Sequence, residues 1–253
     1  MPEFWFIRHG ESETNAGLRS DSDQSTRLTE KGQRQAEYVA EYLLEQPDLF
    51  VVSPYDRTRL TANPSMEKFP DVPVETWEIQ EYSYLSHDQY SGTTSQERRK
   101  LSEDYFRSAD PDLVLGDGGE SFNQFISRVE DCFSRLRTSD HQKVILFGHG
   151  WFIRAGLWLL YSGQRSFKAQ PELLDQVKNQ MPTSRLALGM YHWLRKRKWH
   201  KNIHAFLLFS AGIQTPNCSI LKFGHNGKSP IELIGYEINH LPPDLRKTTL
   251  RNR

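Results

Sequence analysis

Two short apolar segments of this chain end alike, because each runs into a histidine that stands beside glycine. Residues 4–7 precede Arg8-His9-Gly10, and residues 144–147 precede Gly148-His149-Gly150. Short apolar runs with glycine at the boundary are typical of buried strands. Since ligands of open α/β sheets bind beyond the carboxyl ends of the strands, we expect both imidazoles in one site.

Helical and extended patterns alternate along the rest of the chain. Apolar residues recur at spacings of three and four in residues 36–44 and 122–133, as in amphipathic helices. Another helix is expected to begin at Tyr55 and to end near Pro64. The extended segments are residues 49–52, 72–76, 218–223 and 232–236. This alternation predicts a three-layer α/β/α fold with a mostly parallel central sheet and a catalytic site at the carboxyl ends of its strands.

Residues 161–215 lie between elements of that sheet, and we interpret them as a helical insertion in a single domain that spans residues 1–253. Within the insertion, residues 192–204 are dense in Trp, Lys, Arg and His. This basic and aromatic stretch could contact acidic lipid or another polyanionic partner, although a merely solvated helix face is the simpler interpretation. His200 and His204 lie one helical turn apart, but no third metal ligand is evident, so no metal site is predicted.

The overall charge balance gives no argument for a polyanionic partner. Lys and Arg number 32 and Asp and Glu number 32, so no global field favours nucleic acid or an acidic membrane. Cys132 and Cys218 stand far apart, which suits a reducing compartment, and we expect a cytoplasmic protein. No apolar stretch approaches the roughly 20 residues of a transmembrane helix. No cofactor is predicted.

A third polar cluster, Ser53-Pro54-Tyr55-Asp56-Arg57, directly follows residues 49–52. At the end of a strand, Arg57 would join Arg8 and the two histidines in one cationic pocket. Guanidinium groups present paired donors that match phosphate oxygens, whereas zinc would need three or four ligands without adjacent cations. The pocket therefore predicts a small phosphorylated ligand rather than a metal.

These motifs resemble the histidine phosphatase superfamily, the group that contains cofactor-dependent phosphoglycerate mutases and many acid and sugar phosphatases. The resemblance covers residues 1 to about 160 and the tail from Asn217, and leaves the insertion unmatched. It rests on these residues: Arg8-His9-Gly10-Glu11, Asn15, Leu28-Thr29-Glu30-Lys31-Gly32, Ser53-Pro54, Arg57, Thr61-Ala62 and Gly148-His149-Gly150.

The resemblance implies that His9 is the nucleophile and forms a phosphohistidine without a metal. A neutral imidazole attacks phosphorus at pH 7 when its other nitrogen is held as a donor. Arg8, Arg57 and His149 would surround the phosphoryl oxygens and stabilise their charge in the transition state. Asn15 and Gly150 would add substrate contacts.

The reaction also needs a proton donor for the leaving oxygen, and the family places a glutamate after a strand for this purpose. Glu81 in Ile79-Gln80-Glu81 matches that context best, with Glu78 as the competitor. Glu120 remains a second candidate for substrate contacts, whereas its neighbour Ser121 is better interpreted as a helix cap.

Departures from the mutase pattern favour hydrolysis. Residues 16–27 lack the aromatic-Gly-Trp motif of the mutases, and Trp151 stands where they usually have Asn. A mutase must protect its phosphohistidine from water, so a missing half of that pocket predicts a phosphatase. Phosphoglycerate mutase-type transfer and non-catalytic binding of a phosphorylated ligand are the alternatives.

Overall fold

The structure is a computed structural model that describes residues 1–19, 22–163, 172–196, 203–225 and 231–246. Within these ranges six strands form one sheet, and their bounds are β1 Glu3–Arg8, β2 Leu49–Val52, β3 Val74–Thr76, β4 Lys143–Gly148, β5 Ile220–Gly224 and β6 Glu232–Glu237. The strand order is β3-β2-β4-β1-β5-β6. The first four strands of this order are parallel neighbours, β5 is antiparallel to β1, and β6 is antiparallel to β5. The predicted mostly parallel sheet is therefore confirmed.

Helices cover both faces of the sheet. Their bounds in the described residues are α1 Glu30–Tyr42, α2 Asp56–Lys68, α3 His87–Tyr90, α4 Arg99–Ser108, α5 Phe122–Arg137, α6 Gly150–Ser162, α7 Leu173–Gln180, α8 Arg185–Lys196, α9 Ile203–Gly212 and α10 Pro243–Arg246. Helices α1 and α2 pack against each other, as do α5 with α6 and α6 with α9. This arrangement confirms the α/β class.

The alternation of side chains along β1 explains the layers. Phe4 and Phe6 point into a core shared with α5, α6 and α9, whereas Trp5 and Ile7 point into a second core with α1 and α2. Successive strand residues face opposite sides of a sheet, so a continuous apolar run is buried on both sides. The sheet is therefore the middle layer.

The predicted end of α2 near Pro64 is wrong, because the helix continues to Lys68. Proline in a helix interior removes one backbone hydrogen bond and costs roughly 3 kcal/mol. Thr61, Ala62 and Ser65 are buried on both sides of Pro64, so packing holds the chain helical across it.

The described part of residues 161–215 contains the last two residues of α6 and the helices α7 to α9. Its interpretation as an insertion in a single domain stays a prediction. Residues 197–202 and the side chains of residues 192–196, which carry the basic and aromatic stretch, lie outside the described part. None of the described helices combines the length and the apolar composition that crossing a bilayer requires.

Candidate active site

The loop after β1 holds His9 in one tautomer. Its Nδ1 lies 2.7 Å from the carbonyl oxygen of Gly10, which can only accept, so Nδ1 carries the proton. The Nε2 atom then keeps its lone pair and accepts from Nε of Arg57 at 3.3 Å. His9 is buried, and the lone pair of Nε2 is directed at the guanidinium of Arg57.

Helix α1 fixes the backbone of this loop at close range. The amide of Glu11 donates to Oε1 of Gln35 at 2.8 Å, and the Glu11 carboxylate accepts from Thr29 and Lys31. A Cβ atom on Gly32 would stand 2.1 Å from the carbonyl oxygen of Glu11. The Leu-Thr-Glu-Lys-Gly motif thus has a physical role, because only glycine permits this approach of α1 to the histidine loop.

The second histidine lies at the N-terminus of α6. The Nε2 atom of His149 contacts Oγ of Ser53 at 2.8 Å, and Nδ1 contacts Nη2 of Arg57 at 3.1 Å. Because the guanidinium can only donate, Nδ1 accepts and Nε2–H donates to the hydroxyl. The ring centroids of His9 and His149 are 5.1 Å apart, so the two imidazoles share one site.

Arg57 connects both histidines to a carboxylate that belongs to none of the sequence motifs. Its Nη1 atom donates to the backbone oxygen of Asp23 at 2.5 Å and lies 3.0 Å from Oδ1 of the same residue. The side chains are 5% and 19% exposed, so the pair is well shielded from water. A phosphoryl group that enters the site must compete with Asp23 for this guanidinium.

The segment before β5 closes the other side of the site. Nη1 of Arg8 donates to the carbonyl oxygen of Thr215 at 2.6 Å, and a Cβ atom on Gly150 would lie 3.3 Å from Nε of Arg8. Nδ2 of Asn217 donates to the carbonyl oxygen of His9 at 2.9 Å and to Oδ1 of Asn15 at 3.0 Å. This fixes the Asn15 amide with its oxygen occupied and its nitrogen as the remaining donor.

The two candidate proton donors occupy different environments. Oε1 of Glu81 accepts from the backbone N–H of Trp151 at 2.9 Å, in the first turn of α6 beside His149. Glu78 is exposed, and its carboxylate accepts from Nε2 of Gln80. The geometry brings Glu81 and not Glu78 to the histidines, and the role of Glu81 stays a prediction.

Burial shifts the pKa values of these groups in opposite directions. It lowers the pKa of His9 well below the usual histidine value, and the positive charges of Arg57 and Arg8 lower it further. It lowers the pKa of His149 in the same way, again with help from Arg57. It raises the pKa of Glu81, although the charges of Arg154, Arg57 and Arg8 oppose the rise. Burial therefore favours the neutral form of both imidazoles and of the carboxyl group.

Both carboxylate oxygens of Glu120 accept from Arg128, with Nη2 and Oε1 2.5 Å apart, and a substrate role for Glu120 stays a prediction. Ser121 caps α5 in a capping box with Gln124, as predicted. Asp23, Asn217 and Arg128 were not predicted as site residues. They follow no strand end and no glycine, and, apart from the Glu120 partner of Arg128, the groups that they contact are far away in sequence, so only the fold reveals them.

The chain is similar to a known protein family and to named phosphatases. The family model of the histidine phosphatase superfamily (branch 1) matches residues 4–176. The adenosylcobalamin/alpha-ribazole phosphatase of Salmonella typhimurium is 32% identical over 160 residues, which cover 57% of this chain and 72% of that protein. Phosphoserine phosphatase 1 of Hydrogenobacter thermophilus is 30% identical over 159 residues, with 61% of this chain and 74% of that protein covered.

The solved structures agree on the fold. A mutant phosphoserine phosphatase of Entamoeba histolytica in complex with phosphoserine superposes with a TM-score of 0.61 at 18% identity, over 96% of this chain and 100% of that one. The sequence relatives are named as phosphatases, which confirms the prediction of a phosphoric monoester hydrolase. Since the family model spans more than half of the chain, the protein belongs to the histidine phosphatase superfamily, branch 1, as its motifs predict.

Proposed function

We propose that the protein hydrolyses a small phosphate monoester through a phosphohistidine intermediate on His9. In this proposal Glu81 donates the proton, and Arg8, Arg57 and His149 hold the phosphoryl group. Asn15 and the backbone of Gly150 add substrate contacts. The proposal extends family membership to a specific reaction and to specific residues.

The tautomer of His9 is the observation that carries the proposal. Its Nδ1–H bond to Gly10 leaves Nε2 unprotonated on the side that faces Arg57 and His149. The lowered pKa keeps the ring neutral at pH 7, so no proton must leave before attack. A histidine that merely bound phosphate by charge would benefit from the opposite shift.

In the first step, the Nε2 lone pair forms a bond to phosphorus while the P–O ester bond breaks. The electron pair of that bond goes to the leaving oxygen, which takes the proton of Glu81. Burial raises the pKa of this carboxyl, which favours the protonated form that the step needs. Arg57 exchanges Asp23 for phosphoryl oxygens as the substrate enters.

In the second step, the Glu81 carboxylate takes a proton from water, and the water oxygen attacks phosphorus. The P–N bond breaks, its electron pair returns to Nε2 of His9, and inorganic phosphate leaves. One carboxyl group serves both steps, because it gives a proton in the first step and takes one back in the second.

The names of the relatives support hydrolysis over transfer and suggest where a substrate search should begin. Their names give alpha-ribazole phosphate and phosphoserine as substrates, so these two compounds should be tested first. Trp151, in place of the mutase Asn, lies half-buried beside Glu81.

The proposed cytoplasmic location rests on Cys132 and Cys218, which are buried free thiols.

The test is the release of phosphate from a panel of phosphorylated amino acids, sugars and nucleotides, together with a trap for the intermediate. We expect His9→Ala to lose at least about a thousandfold in turnover, since no neighbouring group supplies an in-line nitrogen. Mass analysis after an alkaline quench should find phosphate on His9. Robust turnover by His9→Ala would contradict the covalent route, and interconversion of the two phosphoglycerate isomers would favour the mutase.

A further inference from the structure

The segment that carries Glu81 takes much of its backbone support from one side chain. Residues 77–86, between β3 and α3, form neither helix nor strand. Arg128 of α5 donates from Nη1 to the carbonyl oxygens of Gln80 at 2.8 Å and Glu78 at 3.1 Å, and from Nη2 to that of Glu81 at 3.2 Å. Carbonyls that lack a helix or strand partner thus obtain one from this guanidinium.

A buried carboxylate fixes the guanidinium in turn. Arg128 donates from Nε to Oε2 of Glu120 at 2.8 Å and from Nη2 to Oε1 at 2.5 Å. The two side chains are 12% and 15% exposed, so this bidentate pair is stronger than a pair in open water. The rings of Phe125 and Phe152 flank the guanidinium carbon at 5.0 and 5.6 Å. The five bonds occupy all of the donors that an arginine side chain has.

Glu120 also holds the segment on the other side of Glu81. Its Oε1 accepts from the backbone N–H of Ser83 at 3.0 Å, and its own N–H donates to the carbonyl oxygen of Ser83 at 2.8 Å. Arg128 therefore fixes the backbone up to Glu81, and Glu120 fixes it two residues later. The pair forms a bracket around the proposed acid.

We infer that Arg128, held by Glu120, is a positioning residue that keeps the Glu81 carboxyl within proton-transfer distance of the leaving oxygen. This inference rests on the proposed function. A general acid works only within hydrogen-bond reach, and a misplacement of about 1 Å costs on the order of a hundredfold in rate. The hydrogen bonds of Arg128 go to the Glu81 segment and to Glu120, so the bracket acts on the acid through its backbone, while the charge of Arg128 also helps to lower the pKa of His149.

The experiment measures phosphorylation of His9 in a single turnover with an alkaline quench, once with an alkyl phosphate and once with an aryl phosphate. An aryl leaving group needs little help from an acid. In Arg128→Gln we expect the alkyl-to-aryl rate ratio to fall roughly ten- to a hundredfold. The amplitude of the aryl burst and the inhibition constant of vanadate should remain those of the wild type.

A merely structural role predicts a different pattern. Partial unfolding would lower the burst amplitude and would slow both substrates by the same factor, so an unchanged ratio would overturn the inference. Arg128→Lys keeps the charge but offers three donors from one atom, and we expect an intermediate ratio. The control Arg137→Gln changes an exposed arginine at the end of the same helix and should alter neither rate.

Combining substitutions separates this inference from the proposed function. In a Glu81→Gln background, Arg128→Gln should lower the alkyl rate no further, because the group that it positions is absent. If Glu81→Gln lowers the ratio while Arg128→Gln does not, the bracket is refuted and the proposed acid stands. If Glu81→Gln leaves the ratio unchanged, the proposed acid itself is refuted. Should Arg128→Gln not fold, Glu120→Gln provides the same comparison and should lower the ratio in the same direction.

Discussion

Desolvation shifts the pKa values of His9 and Glu81 in opposite directions. Removal from water disfavours the charged form of each group, so the histidine loses its proton more readily and the carboxyl group keeps its proton. The nearby arginines reinforce the first shift and oppose the second. Desolvation therefore favours the protonation states that the proposed mechanism needs, an unprotonated nucleophile and a protonated acid.

This pairing predicts a bell-shaped dependence of kcat/KM on pH for an alkyl phosphate. Activity should fall on the acid side only below the ordinary histidine range of about 6.5, as His9 becomes protonated. On the alkaline side it should fall as pH rises through the raised pKa of Glu81, above the ordinary glutamate range of about 4.3. Steady-state kinetics across pH, compared with the titration of the substrate itself, measures both limbs.

Glu81→Gln should remove the alkaline limb and lower alkyl phosphate turnover by about a hundredfold or more, since an amide has no proton to give. Glu78→Gln serves as the matched control and should retain the wild-type profile, because Glu78 is exposed. If the alkaline limb persisted in Glu81→Gln and disappeared in Glu78→Gln, the proton donor would be Glu78 and not Glu81.

At the scale of helices and strands, the contact between α1 and the histidine loop can be tested through stability. In Gly32→Ala the new methyl group would meet the Glu11 carbonyl at 2.1 Å, so the backbone must separate. We expect a loss of roughly 1–3 kcal/mol in the free energy of unfolding, with reduced turnover, because the same loop carries His9.

Urea denaturation measures this loss, and Gly189→Ala is its control. Gly189 lies in α8 with no atom within 4 Å of an added Cβ, so alanine should stabilise the helix by up to about 1 kcal/mol. If Gly32→Ala and Gly189→Ala changed the free energy of unfolding equally, the predicted clash at Gly32 would be relieved without cost.

The strands and the two histidines could be predicted because their signals are local. Residues 49–52 are a strand with the expected bounds, since both faces of the sheet bury them and the apolar run is continuous. The predicted helix end near Pro64 was wrong because the rule that proline ends a helix takes no account of the packing around that residue. Arg128 and Asp23 could not be predicted as parts of the site, since a charged residue on a helix or in a loop is usually solvated. The Arg57 partner of Asp23 and the backbone carbonyls that Arg128 binds lie far away along the chain.

At the scale of the whole molecule, the site joins segments that are distant in sequence. Arg57 contacts His9, Asp23 and His149, and Arg8 contacts Thr215. A ligand that binds these groups together binds the folded chain and not the unfolded one. The stability of the protein is therefore linked to occupancy of the phosphoryl pocket.

Inorganic phosphate should consequently stabilise the protein without any metal. After dialysis against EDTA, phosphate at about 100 times its Kd should add roughly 2.7 kcal/mol and raise the Tm by about 5–10 °C in a chain of this size. Arg8, Arg57 and the donors around them supply the positive charge that Mg²⁺ supplies in other phosphoryl-transfer enzymes. Arg57→Gln should lose most of the shift in Tm, whereas Arg137→Gln should keep it. A shift that requires a divalent ion in the wild type would refute the metal-free pocket, because two guanidinium groups would then be insufficient to bind the anion.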